Sequence, residues 1–161
     1  MFYKVAKDGL AGDSTWFIRL EKGEEILKSL TGFCKKFNHF TGATGTITGI
    51  GAVSYAEIGW FDMEYKKYVT KVYQENREIT SLIGNLSLKE KEPFFHIHVT
   101  LSNRQFEVIG GHLYKAIISA TGELVLRTFQ LSGTSTVLKR KPDKETGLYL
   151  WDEMQRFEEI G

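Results

Sequence analysis

The chain has 161 residues, of which 42% are hydrophobic and 25% are charged. These values are typical of one soluble globular domain, and they exclude a disordered, fibrous or membrane-embedded protein. The 21 lysines and arginines nearly balance the 20 aspartates and glutamates, which leaves a net charge of +1. Because neutralisation of phosphates by cations provides much of the affinity of DNA-binding domains, this balance argues against strong non-specific DNA binding by the whole surface.

Two features bear on the cellular location. Cys34 is the only cysteine, so no disulfide can form within the chain, and its place in an apolar helical pattern predicts a buried, unreactive thiol. The first residues lack the basic segment and long apolar run of a signal peptide or membrane anchor. We therefore expect a cytoplasmic protein with no membrane partner.

The first 15 residues are polar, and they are predicted to form a loop before a short strand at 16–20. A helix is predicted next, because six apolar residues recur at the spacing of one helical face: Ile26, Leu27, Leu30, Phe33, Cys34 and Phe37. Glu24 and Glu25 in its first turn, and Lys35 and Lys36 in its last, complement the helix dipole.

The stretch 42–52 contains four glycines and invites comparison with nucleotide-binding loops. It contains neither G-x-G-x-x-G nor the Gly-Lys-Ser/Thr of a Walker A motif. The interleaved Ile47, Thr48 and Ile50 favour a strand whose backbone packs closely against a neighbour.

Further strands are predicted at 54–61, 68–73, 82–88, 94–101, 108–113, 124–129 and 134–138. One early helix with many strands predicts an α/β (α+β) fold with a mainly antiparallel sheet and flanking helices. We expect a single domain over 1–161 with its core at about 16–138. A basic turn begins at 139, and an amphipathic C-terminal helix is predicted from five apolar residues: Leu150, Trp151, Met154, Phe157 and Ile160.

Two of the four histidines lie in an alternating segment at 94–101. Its apolar residues are two apart and share one face of the predicted strand: Phe95, Ile97, Val99 and Leu101. His96 and His98 therefore share the other face, with their Cα atoms about 6.5–7 Å apart. This spacing suits two imidazoles that chelate one metal ion.

A third histidine, His112, follows in a Gly-Gly-His sequence. If residues 104–106 form a three-residue hairpin turn, positions 98 and 112 are opposed in an antiparallel pair, and their side chains point to the same face. The sequence thus predicts a metal site at His96, His98 and His112, or else three polar side chains on a solvated or subunit-facing surface. Three histidines with an open coordination position are typical of catalytic zinc sites, although imidazole also binds nickel, copper and iron.

The segment 16–129 resembles the plants-and-prokaryotes-conserved (PPC) domain, which occurs in plant AT-hook nuclear proteins and as stand-alone prokaryotic proteins. The resemblance rests on WFIRLEKGEEI at 16–26, TGIGAV at 48–53, HIHV at 96–99, GGHL at 110–113 and ATGE at 120–123. It implies a homotrimer whose histidine motifs cluster near a subunit interface and can hold a metal. The chain lacks the Arg-Gly-Arg-Pro AT-hook. It also has Glu75, Asn76 and Arg77 before Glu78, which departs from the Gly-Arg-Phe-Glu-Ile-Leu-type segment that the plant proteins use for partner binding, so plant-type nuclear partners are not expected.

Three functions are consistent with these features. The first is a DNA-binding or regulatory protein, with weak contacts to nucleic acid from the basic run Lys139, Arg140 and Lys141. The second is a metal-dependent enzyme or small-molecule-binding protein, in which Glu123 is the candidate general base. The third is a trimeric scaffold with a structural metal. We favour a homotrimer of the DNA-associated family that binds a divalent transition metal, with zinc as the first candidate.

Overall fold

A computed structural model of the chain describes residues 1–7, 13–37, 44–129, 131, 137–152 and 154. The one helix in these residues is α1 (Ile26–Lys36). The strands are β1 (Phe2–Lys7), β2 (Ser14–Glu21), β3 (Thr44–Asp62), β4 (Lys67–Tyr73), β5 (Arg77–Lys89), β6 (Glu92–Ser102), β7 (Val108–Phe129), β8 (Lys139–Pro142) and β9 (Tyr149–Trp151). No helix in the described part of the chain has the length and hydropathy of a membrane span.

The predicted helix is confirmed as α1. Glu25 is its N-cap, and the Glu25 carboxylate accepts hydrogen bonds from the backbone N–H groups of Leu27 (3.0 Å) and Lys28 (2.7 Å). Its apolar face is buried against β6 and β7. Cys34 is fully buried there, and burial raises the pKa of its thiol to about 12, as expected of a structural cysteine.

The strands form one mainly antiparallel sheet, with a single parallel pair between β5 and β8 among the described strands. Four strands pair in a closed circuit: β3 with β5, β5 with β6, β6 with β7, and β7 with β3. β1 and β2 extend the sheet beyond β7, and β4 pairs with the second half of β3. The predicted antiparallel α/β fold is confirmed, with one helix rather than several in the described residues.

The glycine-rich stretch is a strand, as predicted for its described part. A Cβ atom on Gly51, whose φ is +151°, would lie 2.4 Å from the Thr121 carbonyl oxygen on β7. A Cβ atom on Gly49 would lie 2.9 Å from the Glu123 carbonyl oxygen. These glycines therefore permit close backbone packing between β3 and β7, and the described residues 44–52 form no glycine loop for a phosphate.

The ends of the chain differ from the prediction. The N-terminal segment includes β1, because Tyr3 packs its ring on Trp16, Phe33 and Phe37 at centroid distances of 5.3–6.0 Å. The predicted C-terminal helix is wrong over 149–151, which form β9 and pair with β8. Residues 153 and 155–161 lie outside the described residues, as do residues 134–136 of the last predicted strand.

Candidate metal centre

Strand β6 places two histidines side by side. Its apolar stripe is buried as predicted: Phe95, Ile97, Val99 and Leu101. The intervening His96 and His98 therefore leave the sheet on the opposite face, where His96 is half-buried and His98 is exposed. On β5, Asn85 is opposed to His96 and Ile83 to His98.

The turn between β6 and β7 brings in the third histidine. The Asn103 side chain holds this turn, because its oxygen accepts hydrogen bonds from the N–H groups of Gln105 (3.0 Å) and Glu107 (2.9 Å). Phe106 takes the left-handed conformation (φ +61°) that closes the turn. The resulting register opposes His98 to His112, which confirms the predicted pairing.

The three imidazoles form one compact cluster. Ring centroids are 5.0 Å apart for His96 and His112, 5.2 Å for His96 and His98, and 5.4 Å for His98 and His112. The Nε2 atoms of His96 and His98 are 3.3 Å apart, and one nitrogen from each ring lies within 4.8 Å of the others. Two nitrogens bound tetrahedrally to one zinc at about 2.0–2.1 Å are themselves about 3.3 Å apart.

The local electrostatics keep two of these rings neutral. Burial lowers the pKa of His96 to about 4, and the charges of Arg140 and His98 act in the same direction. Burial lowers the pKa of His112 to about 4 as well, with further contributions from His96, His98 and Arg140. Both imidazoles are therefore deprotonated at pH 7, which is the form that binds a metal.

His112 also carries an unsatisfied atom. Its Nδ1 is buried and has no hydrogen-bond partner among the described residues. Such a nitrogen costs free energy, and a bound ion is one way in which it is satisfied. The donor set therefore fits a divalent transition metal: the described residues contribute three imidazoles to the cluster and no fourth protein ligand.

Two tyrosines that the sequence did not single out hold His112 in place. The rings of Tyr68 and Tyr114 each lie 5.0 Å from the His112 ring. Tyr68 reaches the His112 ring from β4 because Gly59, on β3 between β4 and β7, has no side chain. A Cβ atom on Gly59 would lie 2.6 Å from the Tyr114 ring and 3.0 Å from the Tyr68 ring. Only the alternation of His112 and Tyr114 along one strand could have indicated this contact.

Arg140 is not the exposed DNA contact that its basic run predicts. Only 8% of the residue is exposed, and the guanidinium donates hydrogen bonds to Ser87 Oγ (2.8 Å), the Tyr149 carbonyl (2.7 Å) and Asn85 Oδ1 (2.8 Å). Its neighbour Lys141 forms an ion pair with Asp152, whereas Lys139 is exposed. Pairing of β8 with β5 thus places Arg140 beside the histidines instead of in solvent.

Glu123 does not reach the histidines within the chain. It is exposed on β7, eleven positions after His112, which is roughly 36 Å along a strand at about 3.3 Å per residue. Its strand neighbours are Arg19 and Ile50, and it lines a separate surface groove. Because β7 is one continuous strand, Glu123 lies apart from the histidines of its own chain, and its role as a general base stays a prediction.

Known structures resemble the chain over almost its whole length. A plant- and prokaryote-conserved (PPC) protein from Pyrococcus horikoshii is 36% identical, with a TM-score of 0.77 over 96% of this chain and 97% of the other. A metal-containing protein from Archaeoglobus fulgidus is 36% identical, with a TM-score of 0.75 over 94% and 97% of the two chains. A putative DNA binding protein from Bacteroides thetaiotaomicron is 29% identical, with a TM-score of 0.76 over 93% and 96%.

The sequence comparisons agree with this fold. No protein with a curated description matches the chain. The family model of the Plants and Prokaryotes Conserved (PCC) domain, called PPC above, matches residues 8–130. This match includes the three histidines and both long strands, β3 and β7. The chain therefore belongs to the Plants and Prokaryotes Conserved domain family.

Proposed function

We propose that the chain binds a divalent transition metal through His96, His98 and His112, with zinc as the first candidate. The observation that carries this proposal is the 3.3 Å separation of the His96 and His98 Nε2 atoms, with the His112 ring 5.0 and 5.4 Å from the two rings. A metal-containing relative from Archaeoglobus fulgidus supports it. Three protein ligands leave a coordination position open to a small molecule.

Calorimetric titration of metal-stripped protein with Zn²⁺ tests this function. We expect up to one ion bound per chain, because the histidines form one cluster. Titrations with Ni²⁺, Co²⁺ and Cu²⁺ then rank the metals, since three imidazoles alone do not select among them. Absence of saturable binding for every one of these ions would contradict the proposal.

The proposal includes a homotrimer, and an exposed apolar face supports it. Four side chains that are half or more exposed surround a groove of about 820 Å³: Phe2, Phe17, Ile50 and Ile83. Apolar patches of this kind mark sites of association. Ile83 is opposed to His98 across β5 and β6, so this face continues to the edge of the histidine cluster.

Charge placed on this face is expected to dissociate the assembly. Light scattering should give three chains per particle for the wild type and a smaller particle for I50E or I83E, because each variant would bury a carboxylate in the interface. V69E is the matched control, since Val69 is 52% exposed but does not line the groove. A monomeric wild type would contradict the homotrimer.

DNA binding is the second candidate, and it is favoured by the similarity of the chain to the putative DNA binding protein from Bacteroides thetaiotaomicron. We expect weak binding, with a Kd on the order of 10⁻⁴–10⁻⁶ M at about 150 mM salt, because the net charge is +1 and Arg140 is buried. Fluorescence anisotropy with random and AT-rich duplexes measures it. Sequence-specific nanomolar binding would overturn this ranking.

A small-molecule or enzymatic function is the alternative use of the same site. It is favoured by a cavity that has His96 and His112 in its wall. Glu123 lies apart from this cavity, and no carboxylate of the described residues lines it to act as a general base. The cavity therefore supports ligand binding at the open metal position.

A further inference from the structure

The cavity beside the histidines has an unbalanced charge. It encloses about 370 Å³ between the ends of β3 to β7 and the β8–β9 hairpin. Among the described residues, no acidic side chain lines it and four cationic ones do: Lys66, Lys67, Lys89 and Arg140. Asp143 lies near Lys66 and lowers the local charge there, so the positive charge of the cavity comes mainly from Lys67, Lys89 and Arg140.

Arg140 is the centre of this charge. Its three hydrogen bonds go to neutral oxygens, and no carboxylate of the described residues forms an ion pair with it. Only 8% of the residue is exposed, so water compensates little of its charge. A buried charge without a counter-ion is costly, and proteins normally pair it or place it in a site that binds an opposite charge.

The rest of the wall is apolar and aromatic. Phe94, Tyr68, Tyr149 and Leu148 line the cavity. Lys89 Nζ lies 3.7 Å from the centroid of the Tyr149 ring, which fixes this cation over the aromatic wall. A volume of about 370 Å³ is at the small end of the range for ligand pockets and suits a small organic molecule.

We propose that this cavity binds a small organic carboxylate. The carboxylate group would lie between Arg140 and the histidines, and the apolar body against the aromatic wall. Arg140 is the first choice for this role, since a guanidinium binds a carboxylate through two parallel hydrogen bonds. The inference deepens the proposed function. It rests on that function only for the contact between the carboxylate and the metal, because Arg140 attracts an anion whether or not a metal is bound.

Benzoate is the probe, with benzamide as its neutral isostere and inorganic phosphate as an anion without an apolar body. Calorimetry on the metal-free and the zinc-treated chain should give a benzoate Kd of about 1 mM or tighter. Benzamide and phosphate should each bind about tenfold more weakly, because each lacks one of the two recognised parts. Equal binding of benzamide would overturn the role of charge, and equal binding of phosphate would overturn the organic ligand.

Variants locate the site. R140M should abolish benzoate binding, but it also removes the bonds that hold β8 on β5, so its folding must be checked by circular dichroism. K89Q keeps those bonds and should weaken benzoate binding about threefold to fivefold. K71Q is the matched control, because Lys71 lies on β4 and does not line the cavity. Unchanged binding in K89Q and in folded R140M would overturn the assignment.

The outcomes separate this inference from the proposed function. Zinc binding without benzoate binding would overturn the inference alone. Benzoate binding by a chain that binds no metal would support the inference and contradict the proposed function. If the chain bound neither zinc nor benzoate, the inference and the proposed function would both be overturned. The charge of Arg140 would then be balanced in another way, for example by a second copy of the chain.

Discussion

H112A is expected to lower the affinity of the chain for Zn²⁺ on the order of 100-fold or more. Loss of a residue that only supports a ligand costs about 10–100-fold in affinity, and loss of a ligand should cost at least the upper value. The cluster has no fourth ligand among the described residues, so no other described side chain replaces His112. Competition with a chromophoric chelator measures the affinity.

Two further variants keep this test decisive. His112 is half-buried and packs on Tyr68 and Tyr114, so H112A can also alter the fold. His98 is exposed, and H98A should therefore lose the metal without loss of packing. H39A is the control, because His39 is the remaining histidine of the sequence and lies outside the described residues. Wild-type affinity in both H98A and H112A would rule out the site.

G84A is expected to destabilise the chain by about 3 kcal/mol. A Cβ on Gly84 would lie 2.3 Å from the His96 carbonyl oxygen and 2.9 Å from Ile97 Cα. These are backbone atoms of the paired strand, so no side-chain rotation relieves the clash and β5 must separate from β6. The displacement includes His96, so metal affinity should also fall. Urea denaturation and zinc titration measure the two effects.

G32A is the matched control for G84A. Gly32 lies in α1, and a Cβ there would meet nothing within 4 Å. Alanine should therefore stabilise the chain by up to about 1 kcal/mol, because it favours the helix over the unfolded state. The two substitutions add the same methyl group and should have opposite signs. A G84A chain as stable as the wild type would contradict the close packing of β5 on β6.

The histidine cluster could be predicted because its determinants are local. The alternation around His96 and His98 indicates the strand and its buried face, and a turn of three residues fixes the register with His112. Helical spacing likewise indicates α1, and the apolar residues between the glycines indicate a strand in the glycine-rich stretch. Each of these features depends on residues that are close together in the sequence.

The predictions that were wrong, and the contacts that were missed, depend on pairing between strands that are far apart in the sequence. Arg140 lies in a basic run, and only the parallel pairing of β8 with β5 shows that it is buried beside the histidines. Leu150 and Trp151 fit a helical spacing, yet they pair with β8. This pairing places the Arg140 guanidinium carbon 5.7 Å from the centroid of the Trp151 ring. Separate strands were predicted where β3 and β7 are continuous. That continuity separates Glu123 from the histidines of the same chain.

The most direct test is the metal content of the protein purified without added metal. Elemental analysis should find up to one divalent transition metal ion per chain in the wild type and in H39A, and none in H96A, H98A or H112A. That pattern follows from the three ligand nitrogens lying within 4.8 Å of one another. A metal-free wild type that also fails to bind added Zn²⁺, or metal retained in the three cluster variants, would contradict the assignment of this site.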